Sequence, residues 1–151
     1  MTPTHRLRGR VAWLVGRASL HAQRLIQERF AGHDLRKPHY GVLATLADLG
    51  PASQGRLADR LCLDRSDLVT VLDELEGRGL VTRTSDATDR RRKIVRLTAA
   101  GEQLLGGLDD LVFAADDELL AGLSDDERAT LVALLQRVLP AAESGGGPSR
   151  A

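Results

Sequence analysis

The sequence predicts a mostly α-helical protein that carries one small β-hairpin. Leu, Ala and Val supply most of the apolar positions and aromatic residues are scarce, which is a composition typical of helices. Apolar residues recur at helical spacing along most of the chain. Two short segments between Leu80 and Leu97 instead have the pattern of strands. The sequence is therefore best explained by about six helices and a hairpin.

The length of 151 residues fits a single domain over residues 1–151, and the lone Cys62 excludes an intrachain disulfide. We find neither a secretory signal nor an apolar run long enough to span a bilayer, so we expect a cytoplasmic protein with no membrane partner. Bases cluster between Arg83 and Arg96, whereas the chain after Glu102 is acidic. Scattered solvated charge explains the acidic end well and the basic cluster poorly.

The first two helices are predicted from their apolar stripes and end signals. Residues 10–30 show the three-and-four spacing of helix 1. Pro38 suits the first position of helix 2, which should end at Gly50 and Pro51. Ser53 can cap a short helix 3, and Asp64 can accept hydrogen bonds from the exposed amides that open helix 4. Helix 4 should end at residues 77–79, with four apolar side chains facing inward: Leu68, Val71, Leu72 and Leu75.

Residues 80–84 and 94–97 are predicted as strands joined by the polar, basic loop 85–93. Thr98 can then cap a long helix 5 that reaches about Leu120. Ser124 and Glu127 form a capping box that opens helix 6, which Pro140 stops. The Gly/Ser-rich residues 143–151 are predicted to be disordered.

Two short helices followed by a hairpin with a basic loop, flanked by long helices, predict a winged helix-turn-helix. In that arrangement the second short helix can enter a major groove of double-stranded DNA while the loop reaches a neighbouring minor groove. Each part alone is a weak signal, and the order of the parts carries the prediction.

Four stretches resemble the MarR (multiple antibiotic resistance regulator) family. They are GPASQGRLADRL at residues 50–61, DRS at 64–66, LEGRGLV at 75–81, and DRR at 89–91 followed six residues later by LT at 97–98. The resemblance covers roughly residues 7–140. It implies a homodimer held by helices 1, 5 and 6, that is by residues 7–36 and 99–140, around a DNA-binding lobe at 38–98. It also often implies a small-molecule effector. If the dimer is two-fold symmetric, its operator should be a pseudo-palindrome, and we expect the protein to act as a repressor.

The outward face of helix 4 holds the residues predicted to read bases or to flank them: Arg65, Ser66, Asp67, Val69 and Thr70. Family members often have Thr at position 67 and an arginine at position 70 or 74, where this chain has Asp67, Thr70 and Glu74. Because an acidic helix repels phosphates, we expect the affinity for DNA to depend on the wing and on contacts with the DNA backbone. The residues predicted to contact the DNA backbone are Ser53, Gln54, Arg56 and Arg60. An acidic helix 4 also permits an alternative, a winged helix that binds protein rather than DNA.

In the wing, the resemblance assigns Arg91 to the minor groove and Asp89 to orienting its guanidinium. Arg90, Arg92 and Lys93 are predicted to contact phosphates.

Trp13, Arg17 and Tyr40 are candidates for an effector cleft, although core or interface packing also explains Trp13. The histidines have no metal-ligand spacing, and no catalytic motif or cofactor site is evident, so we expect no enzyme, metal or cofactor. Cys62 is predicted to be a small packed side chain rather than a redox sensor.

Overall fold

A computed structural model describes residues 5–140, and the predicted disordered tail at 143–151 lies outside them. Within these residues the chain forms six α-helices and a small three-stranded sheet, which confirms the predicted fold class apart from one additional strand. The elements are α1 (Val11–Phe30), a 3-10 turn (Ala31–His33), α2 (Lys37–Leu49), β1 (Ala52–Ser53), α3 (Gln54–Leu61), α4 (Arg65–Gly77), β2 (Val81–Ser85), β3 (Lys93–Leu97), α5 (Ala99–Leu119) and α6 (Asp125–Val138). Within residues 5–140, no helix has the length and apolarity needed to cross a membrane.

The chain divides into two compact units, the first ending at Leu119 and the second beginning at Leu120. The second unit contains α6, whose N-terminus is held by the predicted capping box between Ser124 and Glu127. None of the α6 residues is buried. Its apolar side chains are therefore exposed or half-buried.

The sheet is antiparallel with strand order β1–β3–β2. Val81 pairs with Leu97 and Ala52 with Val95, which places β3 in the centre. Strand β1 was not predicted, because its two residues are too few to show an alternating pattern. The loop at residues 86–92 together with β2 and β3 forms the wing.

The core of the first unit lies between α2, α3, α4, α5 and the sheet, and it also takes in Phe30 at the end of α1. All four α4 positions that were predicted to face inward are buried: Leu68, Val71, Leu72 and Leu75. Their burial fixes which side of α4 remains exposed, so the predicted outward face is confirmed.

Most helix ends form as predicted, with two corrections. Ser53 caps α3 by accepting the amide proton of Arg56. Asp64 does precede α4, but its carboxylate makes no capping hydrogen bond. Because Asp64 is exposed, water can hydrogen-bond to its carboxylate instead. Pro38 occupies the second rather than the first helical position, because α2 begins one residue earlier at Lys37.

The start of α5 is fastened to the base of the wing by Thr98, which caps the helix as predicted. The Thr98 amide donates to the Leu80 carbonyl at 3.1 Å, and its hydroxyl donates to the Gly79 carbonyl at 2.7 Å. Gly101 then passes so close that a Cβ atom there would lie 2.2 Å from the Leu80 carbonyl oxygen. This close approach positions the wing against α5.

Candidate nucleic-acid interface

A groove of about 320 Å³ lies where the N-terminal ends of α3 and α4 face the wing. Its lining residues are Ser53, Gln54, Gly55, Arg65, Leu68, Val69, Arg91, Arg92 and Lys93. The structure thus brings together seven of the residues predicted from the sequence, and four of these are bases contributed by α4 and the wing. A concave surface with this charge favours a phosphate backbone.

The other predicted DNA contacts lie around this groove rather than in it. Ser66, Asp67 and Thr70 are exposed on α4, and Arg56 and Arg60 are exposed on α3. The Thr70 hydroxyl donates to the Ser66 carbonyl at 3.2 Å, so it is engaged with its own helix. A base contact by Thr70 would use the acceptor side of this hydroxyl or replace that bond.

The wing turn is shaped by the side chain and main chain of Asp89. Its carboxylate accepts the Arg91 main-chain amide at 3.0 Å, and its carbonyl accepts the Arg92 amide at 2.9 Å. In this structure the Asp89 carboxylate binds the main chain of Arg91, and no ion pair with the Arg91 guanidinium is formed, so the orienting role of Asp89 stays a prediction. Hydrogen bonds from Thr88 hold the pKa of the Asp86 carboxyl below its usual range at the same turn.

Two acids of α4 are paired with the single guanidinium of Arg83 in β2. The Arg83 guanidinium binds Glu76 at 2.6 Å and Asp73 at 2.5 Å, and its side chain is only 19% exposed. Hydrogen bonding from Arg83 lowers the pKa of Glu76, so this acid stays ionised and paired. Arg83 was counted in the basic cluster on the sequence, but it is internally paired and adds no free positive charge.

The third acid, Glu74, is held by residues at the start of α2. One Arg36 nitrogen donates to both Glu74 oxygens, at 3.1 and 3.0 Å, and the His39 ring binds one of the same oxygens at 2.5 Å. Hydrogen bonds from Arg36 and then His39 lower the pKa of Glu74. Sequence reasoning missed this cluster. Its one signal was Glu74 itself, an acid where family members often have arginine.

Two candidates for an effector cleft, Trp13 and Arg17, lie on α1, and the third, Tyr40, lies on α2. The Tyr40 hydroxyl donates to Asp109 at 2.9 Å, and its ring packs 6.0 Å from that of Phe30. Burial, followed by the hydrogen bond to Asp109, raises the pKa of Tyr40 to about 12. Trp13 and Arg17 lie exposed on α1, so core packing does not explain Trp13. The cleft remains a prediction.

Cys62 is exposed, so the expectation of a packed side chain is wrong. It ends α3 in the left-handed conformation, with φ of 50°, a position that glycine occupies with least strain. The Cβ of Cys62 therefore bears a steric strain that glycine at this position would avoid.

Comparison with known proteins begins with the sequence profile of the MarR family, which matches residues 35–93. The chain is 36% identical over 106 residues to the transcriptional regulator HosA of Escherichia coli O157:H7, covering 70% of this chain and 78% of HosA. It is 40% identical over 99 residues to a candidate transcriptional regulatory protein for the hcr operon of Thauera aromatica. That match covers 66% of this chain but only 60% of the Thauera protein.

Solved structures share the whole fold. A mutant MarR from Escherichia coli in complex with operator DNA superimposes with a TM-score of 0.78 and 27% identity, covering 92% of this chain and all of that one. BpsR of Bordetella bronchiseptica, whose DNA binding is regulated by 6-hydroxynicotinic acid, superimposes with a TM-score of 0.79 and 26% identity. That alignment covers 91% of this chain and 97% of BpsR.

Proposed function

Because the chain belongs to the MarR family and is a MarR-type transcriptional regulator, we propose that it is a repressor that binds a pseudo-palindromic operator as a homodimer. The observation that carries this proposal is the basic groove between α3, α4 and the wing. The MarR structure with operator DNA supports the same role for the shared fold. A protein with this role acts on the chromosome, so we assign it to the cytoplasm.

In this proposal residues 38–98 form the DNA-binding lobe. The side of α4 that carries Ser66 and Thr70 enters the major groove, and Arg91 enters the adjacent minor groove. The internal pairing of Asp73, Glu74 and Glu76 reduces the repulsion expected of an acidic recognition helix, because two arginines, Arg36 and Arg83, offset two of these three negative charges.

Residues 7–36 and 99–140 form the proposed dimerisation region. Large apolar side chains are exposed on α1, α5 and α6, where a single chain leaves them in water. They are Val11, Trp13, Leu14, Val15 and Leu20 of α1, Phe113 of α5, and Val132, Leu134, Leu135 and Val138 of α6. A second copy that covers these faces would remove them from solvent, and two-fold symmetry would present two lobes to adjacent half-sites.

The proposal is tested by selecting bound fragments from genomic DNA and then measuring their affinity for two wing variants. Arg91→Ala should weaken binding by about 1–3 kcal/mol without changing the dimer, because its side chain lines the groove from an exposed loop. Arg90→Ala is the matched control, since it removes the same charge from the same loop but does not line the groove. It should cost less than Arg91→Ala.

Equal losses from the two variants would indicate a generic basic patch rather than an inserted arginine. Affinity that falls steeply with salt is expected for a protein that neutralises phosphates. If no DNA is bound even at low salt, the repressor proposal fails and the alternative of a protein-binding winged helix is favoured. A monomeric mass at micromolar concentration would refute the dimer.

A further inference from the structure

The wing is attached to α4 along one edge of the sheet. In the strand order β1–β3–β2, strand β2 lies at that edge. The Arg83 main-chain amide donates across the edge to the carboxylate of Glu76 in α4, at 3.0 Å. An edge amide would otherwise donate to water, so an acceptor supplied by another element fixes the strand against that element.

The Arg83 side chain adds three hydrogen bonds to the same helix. Its Nε and Nη2 atoms both bind one oxygen of Glu76, at 3.0 and 2.6 Å, while the main-chain amide takes the other oxygen. The Nη2 atom also binds Asp73 at 2.5 Å. Both oxygens of Glu76 are therefore used on a single residue of the wing. We call Arg83, Glu76 and Asp73 the α4–wing clamp.

The direction of the wing depends on what holds its two strands. A two-stranded hairpin is at most marginally stable by itself, so contacts with other elements must orient it. Strand β3 is supported by β1, which pairs with it at Ile94 and Val95. Strand β2 is supported by the α4–wing clamp, through Arg83. The clamp thus connects the hairpin that carries Arg91 directly to α4.

We propose that Arg83 is a positioning residue for DNA binding, which acts through Glu76 to fix the wing relative to α4. Arg91 and the outward face of α4 are then presented to their two grooves in one arrangement, and the wing loses little freedom when DNA binds. The inference rests on the proposed function. An arginine suits this task because its planar fork binds a carboxylate in a defined direction, which a lysine ammonium does not.

The clamp and simple electrostatics predict opposite effects for Glu76→Ala. Removing a carboxylate from α4 should tighten DNA binding if only charge matters. If the clamp orients the wing, the same change should weaken binding by about tenfold, because the wing must then be ordered on binding. Asp73→Ala is the matched control, since it removes the same charge but keeps the three hydrogen bonds between Arg83 and Glu76. It should bind DNA as tightly as the wild type or more tightly.

Arg83→Lys separates geometry from charge. It keeps the net charge of the protein but replaces the fork by a single ammonium. DNA binding should weaken as it does in Glu76→Ala, although the electrostatic attraction is unchanged. Affinity equal to that of the wild type would overturn the positioning role of Arg83.

Combination with Arg91→Ala distinguishes positioning from a general loss of stability. The probe is the DNA fragment that the wild-type protein selects from the genome. Arg91→Ala should weaken binding about tenfold in the wild type and in Asp73→Ala, but less than about threefold in Glu76→Ala, where the arginine is no longer held at its groove. A variant that is only less stable would keep the full factor, because unfolding lowers both measurements equally. The same factor in all three backgrounds would overturn the proposal, as would tighter DNA binding by Glu76→Ala.

Hydrogen exchange in the free protein tests the clamp without DNA. The Arg83 main-chain amide should exchange at least about tenfold faster in Glu76→Ala than in Asp73→Ala. Equal rates would overturn the clamp. The expected rates in a protein that binds no DNA would refute the repressor and leave the attachment of the wing to α4 intact. The expected rates with an unchanged Arg91→Ala factor would refute the positioning role alone.

Discussion

Replacing Gly101 by alanine should destabilise the protein by about 1–3 kcal/mol. The new Cβ would lie 2.2 Å from the Leu80 carbonyl oxygen and 2.7 Å from a Leu97 methyl, whereas ordinary contact begins at 3.4 Å. Opening this gap by about 1 Å costs about 1–3 kcal/mol in overpacking. It also breaks the hydrogen bond from the Thr98 amide to Leu80, worth about 1 kcal/mol. The better helix propensity of alanine returns about 1 kcal/mol.

Urea unfolding followed by helical circular dichroism, at one fixed protein concentration, measures this change. The control is Gly106→Ala in the same helix, where an added Cβ meets nothing within 4 Å. That variant should be as stable as the wild type or up to about 1 kcal/mol more stable. An unchanged midpoint for Gly101→Ala, or an equal loss for both variants, would refute the close approach of α5 to the wing.

Three further predictions concern individual side chains. Tyr40 is the only tyrosine, so tyrosinate absorbance reports it alone, with an expected midpoint near 12. Because this folded-state pKa lies above the unfolded value of 10.0, its stabilising effect holds below pH 10 and is lost as the pH rises towards 12. Asp109→Asn should lower the midpoint, and a wild-type midpoint at 10 would contradict the buried hydrogen bond. Asp89→Ala should weaken DNA binding through loss of the wing turn, whereas Asp89→Asn keeps the acceptor and should not; simple electrostatics predicts tighter binding by both. Ser66→Ala and Thr70→Ala should each change the ranking of operator variants by about 1 kcal/mol, and an unchanged ranking would mean that α4 does not read bases.

The helices were predictable because their signals are local. An apolar stripe, the Ser124 capping box and the glycines after α4 each lie within a few residues of the structure they determine. Strand β1 was not predictable, because its two residues become a strand only by pairing with β3. The side-chain role assigned to Asp64 also failed, since a suitable residue at a cap does not ensure a hydrogen bond.

The basic residues of the candidate interface were predictable from their clustering in the sequence. Which of them are available to contact DNA was not predictable. Arg83 and Arg91 are both arginines of the same hairpin, yet Arg83 is half-buried and paired with acids of α4, whereas Arg91 lines the groove. Only the tertiary structure distinguishes them. The partners Arg36 and Glu74 are 38 residues apart, and nothing local in the sequence joins them.

Because the α4 carboxylates are paired internally, two properties of the proposed regulator depend on different residues: the strength of DNA binding and the preference for a DNA sequence. If DNA binds as proposed, the released counterions come from contacts made by bases that are not paired with α4 acids, which lie in the wing, in α3 and at the start of α4. The outward residues Ser66 and Thr70 carry no charge, so replacing them by other uncharged residues changes neither the electrostatic attraction nor the carboxylate pairs. Target preference can therefore diverge during evolution while the salt dependence and overall strength of binding stay nearly constant.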